Sequence, residues 1–212
     1  MLSSIITIKA IITNKGCPVK VSTREKLKFQ AMELFATQGF SSTTVGAIEK
    51  AAGLTARSGG FYRHFPTKMS VLEAIVDEAE VEILEDFQQN LSLPLGNVKQ
   101  ELLTIGRMIL HIGEKYRPLR ILLRAEVGTL PELREKMKVI NSRLADEHLF
   151  PWIASNLKNT SFSNNCPDEM IQIIFGSVFY YMISLDIGAT PYGIEQNKYL
   201  ETWADVWTKN LS

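Results

Sequence analysis

The residues with the clearest chemical use lie in one basic segment near the start of the chain. Arg57 carries a guanidinium, which pairs well with the edge of a guanine in the major groove of DNA. Tyr62, His64 and Lys68 follow it and suit the phosphate oxygens of the DNA backbone. These residue types predict contact with a polyanion.

The charge distribution points the same way. Residues 1–68 hold 10 Lys and Arg against 3 Asp and Glu, whereas residues 69–212 hold 13 against 20. The formal net charge of +0 is therefore the sum of a basic N-terminal part, residues 1–68, and an acidic remainder, residues 69–212. Such asymmetry indicates that one part of the chain meets nucleic acid while the other has a different task.

Short helices are predicted around the basic segment. Ser22 and Glu25 have capping-box spacing, so the first helix is expected to begin there and to end at Gly39. Either Ser42 or Thr43 caps the second helix.

A tight turn follows the second helix. Gly53 forms it, since glycine tolerates positive φ. Thr55 caps a third helix, which runs to about His64. The second and third helices form a predicted helix-turn-helix, whose second helix fits the major groove. A small helical domain with a solvated basic face is the alternative.

The remaining residues also predict helices, because apolar side chains recur at helical spacing and no strand alternation is sustained. Thr67 caps a long fourth helix, and Pro151 kinks the helix in which it lies. Further helices are expected at 98–113, 117–127, 131–157, 168–187 and 194–210, with a polar loop at 158–167. The predicted fold class is all-α, with about nine helices.

The front of the chain closely resembles the N-terminal domain of the TetR (tetracycline-repressor) family of transcriptional regulators. The resemblance covers about 50 residues. The residues that carry it are Phe35, Gly39-Phe40, Thr43-Thr44-Val45, Ile48, Ala51-Ala52-Gly53-Leu54-Thr55 and Tyr62-Arg63-His64-Phe65-Pro66-Thr67-Lys68. The resemblance implies that the third helix is the recognition helix, that Tyr62 and His64 contact the DNA backbone, and that Lys68 binds a phosphate.

The chain departs from the family pattern between the turn and the tyrosine. Ala56-Arg57 looks like a two-residue insertion, and Gly59-Gly60 precedes the aromatic pair. The two glycines weaken the third helix. Which of Arg57, Ser58 and Gly60 reads bases stays open. The candidate DNA-binding residues are Thr43, Thr44, Thr55, Arg57, Ser58, Gly60, Tyr62, His64 and Lys68.

The last two predicted helices are the expected dimer elements. The helix at 168–187 is apolar around most of its circumference, so it needs cover on two sides. One side is expected to face the core and the other a second subunit, as the family resemblance implies. The predicted interface residues are Ile174, Val178, Tyr181, Met182, Trp203 and Trp207.

The middle helices correspond in position to the ligand-binding part of the family. Aromatic side chains with few polar groups would suit a small apolar or aromatic molecule. Each of these residues, taken singly, is more often plain core than part of a pocket. The candidate pocket residues are Phe87, Met108, His111, Arg120, Trp152, Phe175 and Phe179.

No catalytic, cofactor or metal site is predicted. His64, His111 and His148 are scattered, and Cys17 and Cys166 lie far apart without a C-x-x-C pair. A reducing cytoplasm is the simplest setting, and no apolar run is long enough to span a membrane.

Three segments are expected: an arm at 1–21, a helix-turn-helix domain at 22–68, and a ligand-binding and dimerisation body at 69–212. The arm either lies near DNA or is a solvated tail. The expected function is a homodimeric repressor that a small-molecule effector releases from its double-stranded DNA operator. The alternatives are a ligand-dependent activator, or a helical small-molecule-binding protein with a vestigial helix-turn-helix.

Overall fold

The computed structural model describes residues 21–55, 59–126, 128–157, 167–188 and 191–211. Over these ranges the regular secondary structure is helical and no strand is present, which confirms the predicted all-α class. No helix in these ranges combines the length and apolar character that a membrane span needs. The predicted arm lies outside the described residues except for its last one, and the loop at 158–167 lies outside them up to residue 166.

The helices follow the predicted order. They are α1 (Thr23–Gln38), α2 (Val45–Ala51), α3 (Lys68–Asn90), α4 (Val98–Lys115), α5 (Arg117–Glu126), α6 (Pro131–Leu144), α7 (Phe150–Leu157), α8 (Pro167–Asp186) and α9 (Gln196–Leu211). A π-helical turn at Ala145–Leu149 separates α6 from α7. This irregularity lies just before Pro151, which has no N–H to continue the helical ladder. The helix predicted over 131–157 is therefore divided into α6 and α7, and the kink at Pro151 stays a prediction.

Two of the predicted N-caps are present. The Ser22 hydroxyl accepts the Glu25 N–H at 3.2 Å, and the Thr67 hydroxyl accepts the Ser70 N–H at 3.0 Å. Gly39 ends α1 with φ of 80°, a conformation that glycine adopts without strain.

The cap of α2 differs from the prediction by one residue. Thr44 is the N-cap, and its hydroxyl accepts the Ala47 N–H at 3.2 Å. Thr43 is buried instead, and its hydroxyl donates to the Gly39 carbonyl at 2.8 Å. The expectation of a cap at Ser42 or Thr43 was therefore wrong, because the Thr43 hydroxyl is used to close the turn after α1.

The third predicted helix also differs from the prediction. Residues 59–64 form a bend and consecutive turns, and no α-helix is assigned over them. The N–H groups of His64 and Phe65 both donate to the Phe61 carbonyl, at 2.9 and 3.0 Å. Gly59 has φ of 73°, which interrupts helical geometry. A helix running to His64 is thus wrong for the part of the segment that is described.

The chain divides into two compact units. The first consists of the residues up to Glu82 together with the later segment Tyr116–Glu135. The second consists of Ile83–Lys115 and Lys136–Ser212. The first unit thus extends beyond the predicted boundary at residue 68 and takes in α5.

The first unit has an aromatic and aliphatic core. Helix α1 packs against α2 and α5. Among the side chains removed from water are Leu27, Phe35, Ile48, Phe61, Phe65, Leu72 and Ile75. Lys28 is a buried charge in this core, and its ammonium reaches the two Glu78 carboxylate oxygens at 2.8 and 2.6 Å, and Glu25 at 2.8 Å. These partners compensate the ammonium for its loss of hydration.

The second unit is built around α4, which packs against α8 and α9. The buried Trp203 indole donates to the Ile174 carbonyl at 2.8 Å, so its polar atom is satisfied. Glu101 is buried as well, and it accepts the Trp152 indole N–H at 2.7 Å and the Leu95 N–H at 2.6 Å. The carboxylate thus fixes both α7 and the segment before α4.

Close approach of α4 to α9 depends on Gly106. A Cβ added there would lie 2.8 Å from Leu200 Cδ2 and 3.1 Å from Trp203 Cζ3. Both distances are shorter than ordinary van der Waals contact, and Trp203 is held in place by its hydrogen bond.

We therefore expect Gly106→Ala to lower the free energy of unfolding, by about 1–2 kcal/mol in urea denaturation. Overpacking costs about 1–3 kcal/mol, which exceeds the gain of about 1 kcal/mol from replacing a helical glycine. Gly46→Ala is the control, because a Cβ on that helical glycine meets nothing within 4 Å. Equal stabilisation by both substitutions would contradict the packing argument.

Candidate nucleic-acid interface

An exposed turn with an aromatic and a basic side chain follows Gly59 and Gly60. Tyr62 is 60% exposed, Arg63 is also exposed, and the preceding Phe61 is fully buried. The Tyr62 ring packs edge-on against the Phe61 ring, with centroids 5.5 Å apart. The turn therefore presents a hydroxyl and a guanidinium on a rigid aromatic base, which are groups that suit DNA phosphates.

A buried carboxylate on α2 fixes the start of this turn. Glu49 is only 1% exposed, and its Oε1 accepts the Phe61 N–H at 3.0 Å. The bond joins α2 directly to the backbone that carries Tyr62. Since a buried charge needs hydrogen-bond partners, the position of the turn is tied to that of α2.

Arg24 on α1 braces the end of the same turn. Its guanidinium carbon lies 4.2 Å from the centroid of the Phe65 ring, and its Nη1 donates to the His64 carbonyl at 2.8 Å. A cation over an aromatic face and a charge-assisted hydrogen bond act here together. The turn is thus held at its start by α2 and at its end by α1.

Lys68 holds the loop that leads into α2. Its Nζ donates to the carbonyls of Phe40 at 2.6 Å and Thr43 at 2.8 Å, and lies 3.3 Å from that of Ser41. It also lies 4.4 Å from the centroid of the Phe40 ring. Burial lowers the pKa of Lys68, and the nearby Glu126 carboxylate opposes that shift.

The predicted DNA-binding residues occupy different surroundings. Thr44, Thr55 and Tyr62 are exposed, whereas Gly60, His64 and Lys68 are partly buried. Thr43 is buried and bonded to backbone. Arg57 and Ser58 lie outside the described residues, as does Ala56. The DNA-binding roles of all these residues stay predictions.

Sequence reasoning missed three residues that shape this interface: Arg24, Glu49 and Glu126. Glu126 ends α5, and its Oε1 accepts the Phe40 N–H at 3.0 Å. An acidic residue on a short helix is most simply read as solvated, so Glu49 gave no signal. Glu126 and Arg24 act across long sequence separations, which a helical pattern does not reveal.

The predicted pocket residues do not all line the same groove. Met108 and His111 line a groove of about 390 Å³ between α3 and α4, together with Asp86, Asn90, Thr104 and Arg107.

The other predicted pocket residues lie elsewhere. Trp152 and Phe175 are buried, and the Phe175 ring packs between those of Trp152 and Trp203, at centroid distances of 6.3 and 5.8 Å. Phe87 is buried, Phe179 is exposed, and Arg120 belongs to the first unit.

The predicted dimer residues face inwards. Helices α8 and α9 direct most of them into the core of the second unit, and Trp207 is partly buried. The buried members of the set are Ile174, Val178, Tyr181, Met182 and Trp203. The exposed apolar side chains of α8 lie at other positions.

Among the described residues, no group of three or more His, Cys, Asp or Glu side chains is arranged to hold a metal ion. What the first unit does offer is the Tyr62 hydroxyl and the Arg63 guanidinium, both exposed on the turn that Glu49 and Arg24 hold.

The comparison with protein families supports the same interpretation. Residues 30–75 match the family described as bacterial regulatory proteins, tetR family. The match covers α2, the turn that carries Tyr62, and the start of α3.

Similarity to individual proteins extends further. The chain is 25% identical over 179 residues to the HTH-type transcriptional repressor AcnR of Corynebacterium efficiens, covering 83% of this chain and 88% of that protein. It is 41% identical over 63 residues to the HTH-type transcriptional regulator AcrR of Shigella flexneri, but this match covers 30% of this chain and 28% of AcrR.

The fold of nearly the whole chain also has a solved counterpart. The fatty acid degradation regulator FadR from Bacillus halodurans superposes with a TM-score of 0.63 at 18% identity, covering 89% of this chain and 96% of FadR. The tetR-family match over residues 30–75, the regulators of similar sequence and the shared fold support one conclusion: the chain is a DNA-binding transcriptional regulator whose N-terminal part is similar to the TetR family.

Proposed function

We propose that this regulator is a homodimeric repressor that binds a two-fold operator and leaves it when a small molecule binds its second unit. The observation that carries the proposal is the exposed turn at Tyr62 and Arg63, braced by Glu49 and Arg24. A turn held at both ends keeps its phosphate-binding groups in place before DNA arrives. Such preorganisation lowers the ordering cost of association.

Repression is favoured over activation by similarity to AcnR, which is named a repressor and is matched over 88% of its length. Both modes use the same DNA-binding surface. A reporter gene with the operator placed over its promoter separates them, since a repressor lowers expression and an activator raises it.

The outer face of α8 supports the dimer. Ile173, Tyr180 and Ile183 recur at helical spacing, and each leaves a large apolar side chain exposed, as does Ile187 directly after the helix. A second copy of this face would cover them in a self-complementary contact. Two paired units would then present two turns to successive half-sites of the operator. We therefore place the interface on this face, opposite the inward-facing residues named from the sequence.

The groove between α3 and α4 supports an effector site in the second unit. Arg107 and His111 lie one turn apart on α4, and Met108 lies beside them. Asp86 on the opposite wall is already paired with Lys115 at 2.6 Å, whereas Arg107 is exposed and has only a longer contact of 3.9 Å with the exposed Glu201 carboxylate. The groove therefore suits a small molecule with an anionic group and an apolar or aromatic part.

The DNA-binding proposal predicts that selection from random duplex DNA enriches a palindromic site. Tyr62→Ala should weaken binding to that site by about tenfold per half-site, hence about a hundredfold for the dimer, because a hydrogen bond to a charged group contributes about 1.5–3 kcal/mol. Fluorescence anisotropy at fixed salt measures the change. The control is Tyr192→Asn, which alters a more exposed tyrosine in the second unit at a positive φ that asparagine tolerates. Failure to enrich any site with refolded, ligand-stripped protein would overturn the proposal.

The dimer proposal predicts that Tyr180→Glu yields monomers in analytical ultracentrifugation at concentrations where the parent chain is dimeric. A carboxylate buried against apolar groups without a partner strongly opposes association. Val139→Glu is the matched control, since Val139 is also exposed and lies on α6, outside this face. A dimer that survives Tyr180→Glu unchanged would place the interface elsewhere.

The effector proposal predicts that benzoate raises the melting temperature more than its neutral isostere benzamide does. Arg107→Gln should abolish this difference, because the guanidinium no longer pairs with the carboxylate. Arg143→Gln, which alters an exposed arginine on α6, should preserve it. Equal shifts by the two probes, or no shift by either, would remove the groove as an anion-selective site.

A further inference from the structure

One residue of α2, Glu49, holds both ends of the segment that leads to the Tyr62 turn. Its backbone carbonyl accepts the Leu54 N–H at 2.9 Å, directly after the turn at Gly53. Its side-chain Oε1 accepts the Phe61 N–H at 3.0 Å. We refer to residues 54–61 as the tethered segment, because its first and last residues are bound to the same glutamate.

The carboxylate supplies an acceptor that helical backbone would otherwise provide. Within an α-helix, the Phe61 N–H would donate to the carbonyl four residues earlier. Here it donates to a side chain of another helix, whereas the Phe61 carbonyl accepts the N–H groups of His64 and Phe65. The position of the turn is therefore set through α2.

Solvent offers no replacement for this hydrogen bond. Phe61 and Glu49 are both buried, and the Phe61 ring packs against those of Tyr62 and Phe65, at centroid distances of 5.5 and 5.7 Å. Without the carboxylate, the Phe61 N–H would be a buried donor without an acceptor, which is costly. The backbone at Phe61 would then have to move to find another partner.

The choice of a carboxylate at this position argues for a role beyond stability. Burying a charge costs free energy even where donors compensate it, and apolar side chains often stabilise such positions equally well. The negative charge of Glu49 also opposes the approach of a polyanion to its unit. What Glu49 contributes is an acceptor on a side chain long enough to reach the Phe61 amide.

The tethered segment contains, in sequence, the predicted insertion and the candidates for base contact. The insertion is Ala56-Arg57, and the candidates are Arg57, Ser58 and Gly60. A longer connection has more conformations available, so ordering it on DNA costs more entropy. Binding both ends of the segment to one residue limits this cost.

We propose that Glu49 is a positioning residue for operator recognition, which fixes the tethered segment so that its base-contacting residues meet the operator in one arrangement. This inference rests on the proposed operator binding and deepens it. It assigns sequence specificity to a buried acidic residue that does not itself contact DNA. Loss of the tether should therefore lower discrimination between the operator and unrelated DNA.

Two conservative substitutions separate the reach of the side chain from its charge. Glu49→Asp keeps the charge, but its shorter side chain leaves the carboxylate out of reach of the Phe61 amide. Glu49→Gln loses the charge and keeps an oxygen at the same reach. If the charge alone mattered, Glu49→Asp would behave like the parent chain and Glu49→Gln would differ from it.

The ratio of operator affinity to non-specific affinity is the measured quantity. Fluorescence anisotropy with the selected operator and a scrambled duplex of equal length, at one salt concentration, gives both affinities. We expect Glu49→Asp to lower the ratio by about tenfold per half-site, the usual effect of one lost base contact. Non-specific affinity should stay unchanged, because it depends on phosphate neutralisation. Glu49→Gln should keep most of the ratio.

The control for these measurements is Glu132→Asp, which shortens an exposed glutamate of α6 in the same unit. It should leave both affinities unchanged. An unchanged ratio in Glu49→Asp, or an equal loss of both affinities, would overturn the proposal.

Amide hydrogen exchange gives a readout that does not depend on DNA. The Phe61 amide should exchange about tenfold faster in Glu49→Asp than in the parent chain or in Glu49→Gln, the factor that one hydrogen bond to a charged group contributes. Unchanged exchange would overturn the inference even if operator binding is confirmed. Circular dichroism at the temperature of measurement confirms that each variant is folded.

Failure of the proposed function has a different signature. If the parent chain itself enriches no operator, the proposed function fails and the inference about recognition falls with it. The exchange result still shows, separately, whether Glu49 holds the tethered segment.

Discussion

The proposed DNA-binding surface depends on a buried hydrogen bond from the Phe61 N–H to the Glu49 carboxylate. A carboxylate removed from water is tolerated only where donors satisfy it, so its partner must stay in place. The backbone of the exposed residues after Phe61 is held in place as well, because it directly follows the amide that Glu49 binds. The side chains proposed to bind phosphate are thereby carried on backbone whose position is set by the interior of the unit.

Much of the fold could be predicted from the sequence, because local signals determine where helices begin and end. Ser22, Gly39 and Thr67 act as predicted, and the break near Pro151 follows from its missing N–H. The prediction failed where tertiary contacts override local preference. Thr43 has the chemistry of an N-cap, yet its buried hydroxyl donates to the Gly39 carbonyl instead of accepting a helix N–H.

The candidate site was harder to predict for the same physical reason. The resemblance identified the exposed Tyr62, but the residues that hold its turn come from α1 and α2 through contacts distant in sequence. Helix α8 is apolar around most of its surface, so periodicity could not tell its core face from its open face. The structure separates them, with Ile174 buried and Ile173 exposed at adjacent positions.

The discontinuous make-up of the first unit has a consequence for modularity. Its chain leaves after Glu82, returns at Tyr116 and leaves again after Glu135, so three covalent crossings join the two units. A fragment cut after α3 would lack α5 and with it the glutamate that binds the loop before α2. Exchange of DNA-binding heads between such regulators, by recombination or by design, therefore has to carry the 116–135 segment with the N-terminal helices. The proposed recognition module of this chain is thus assembled from two segments that are distant in sequence.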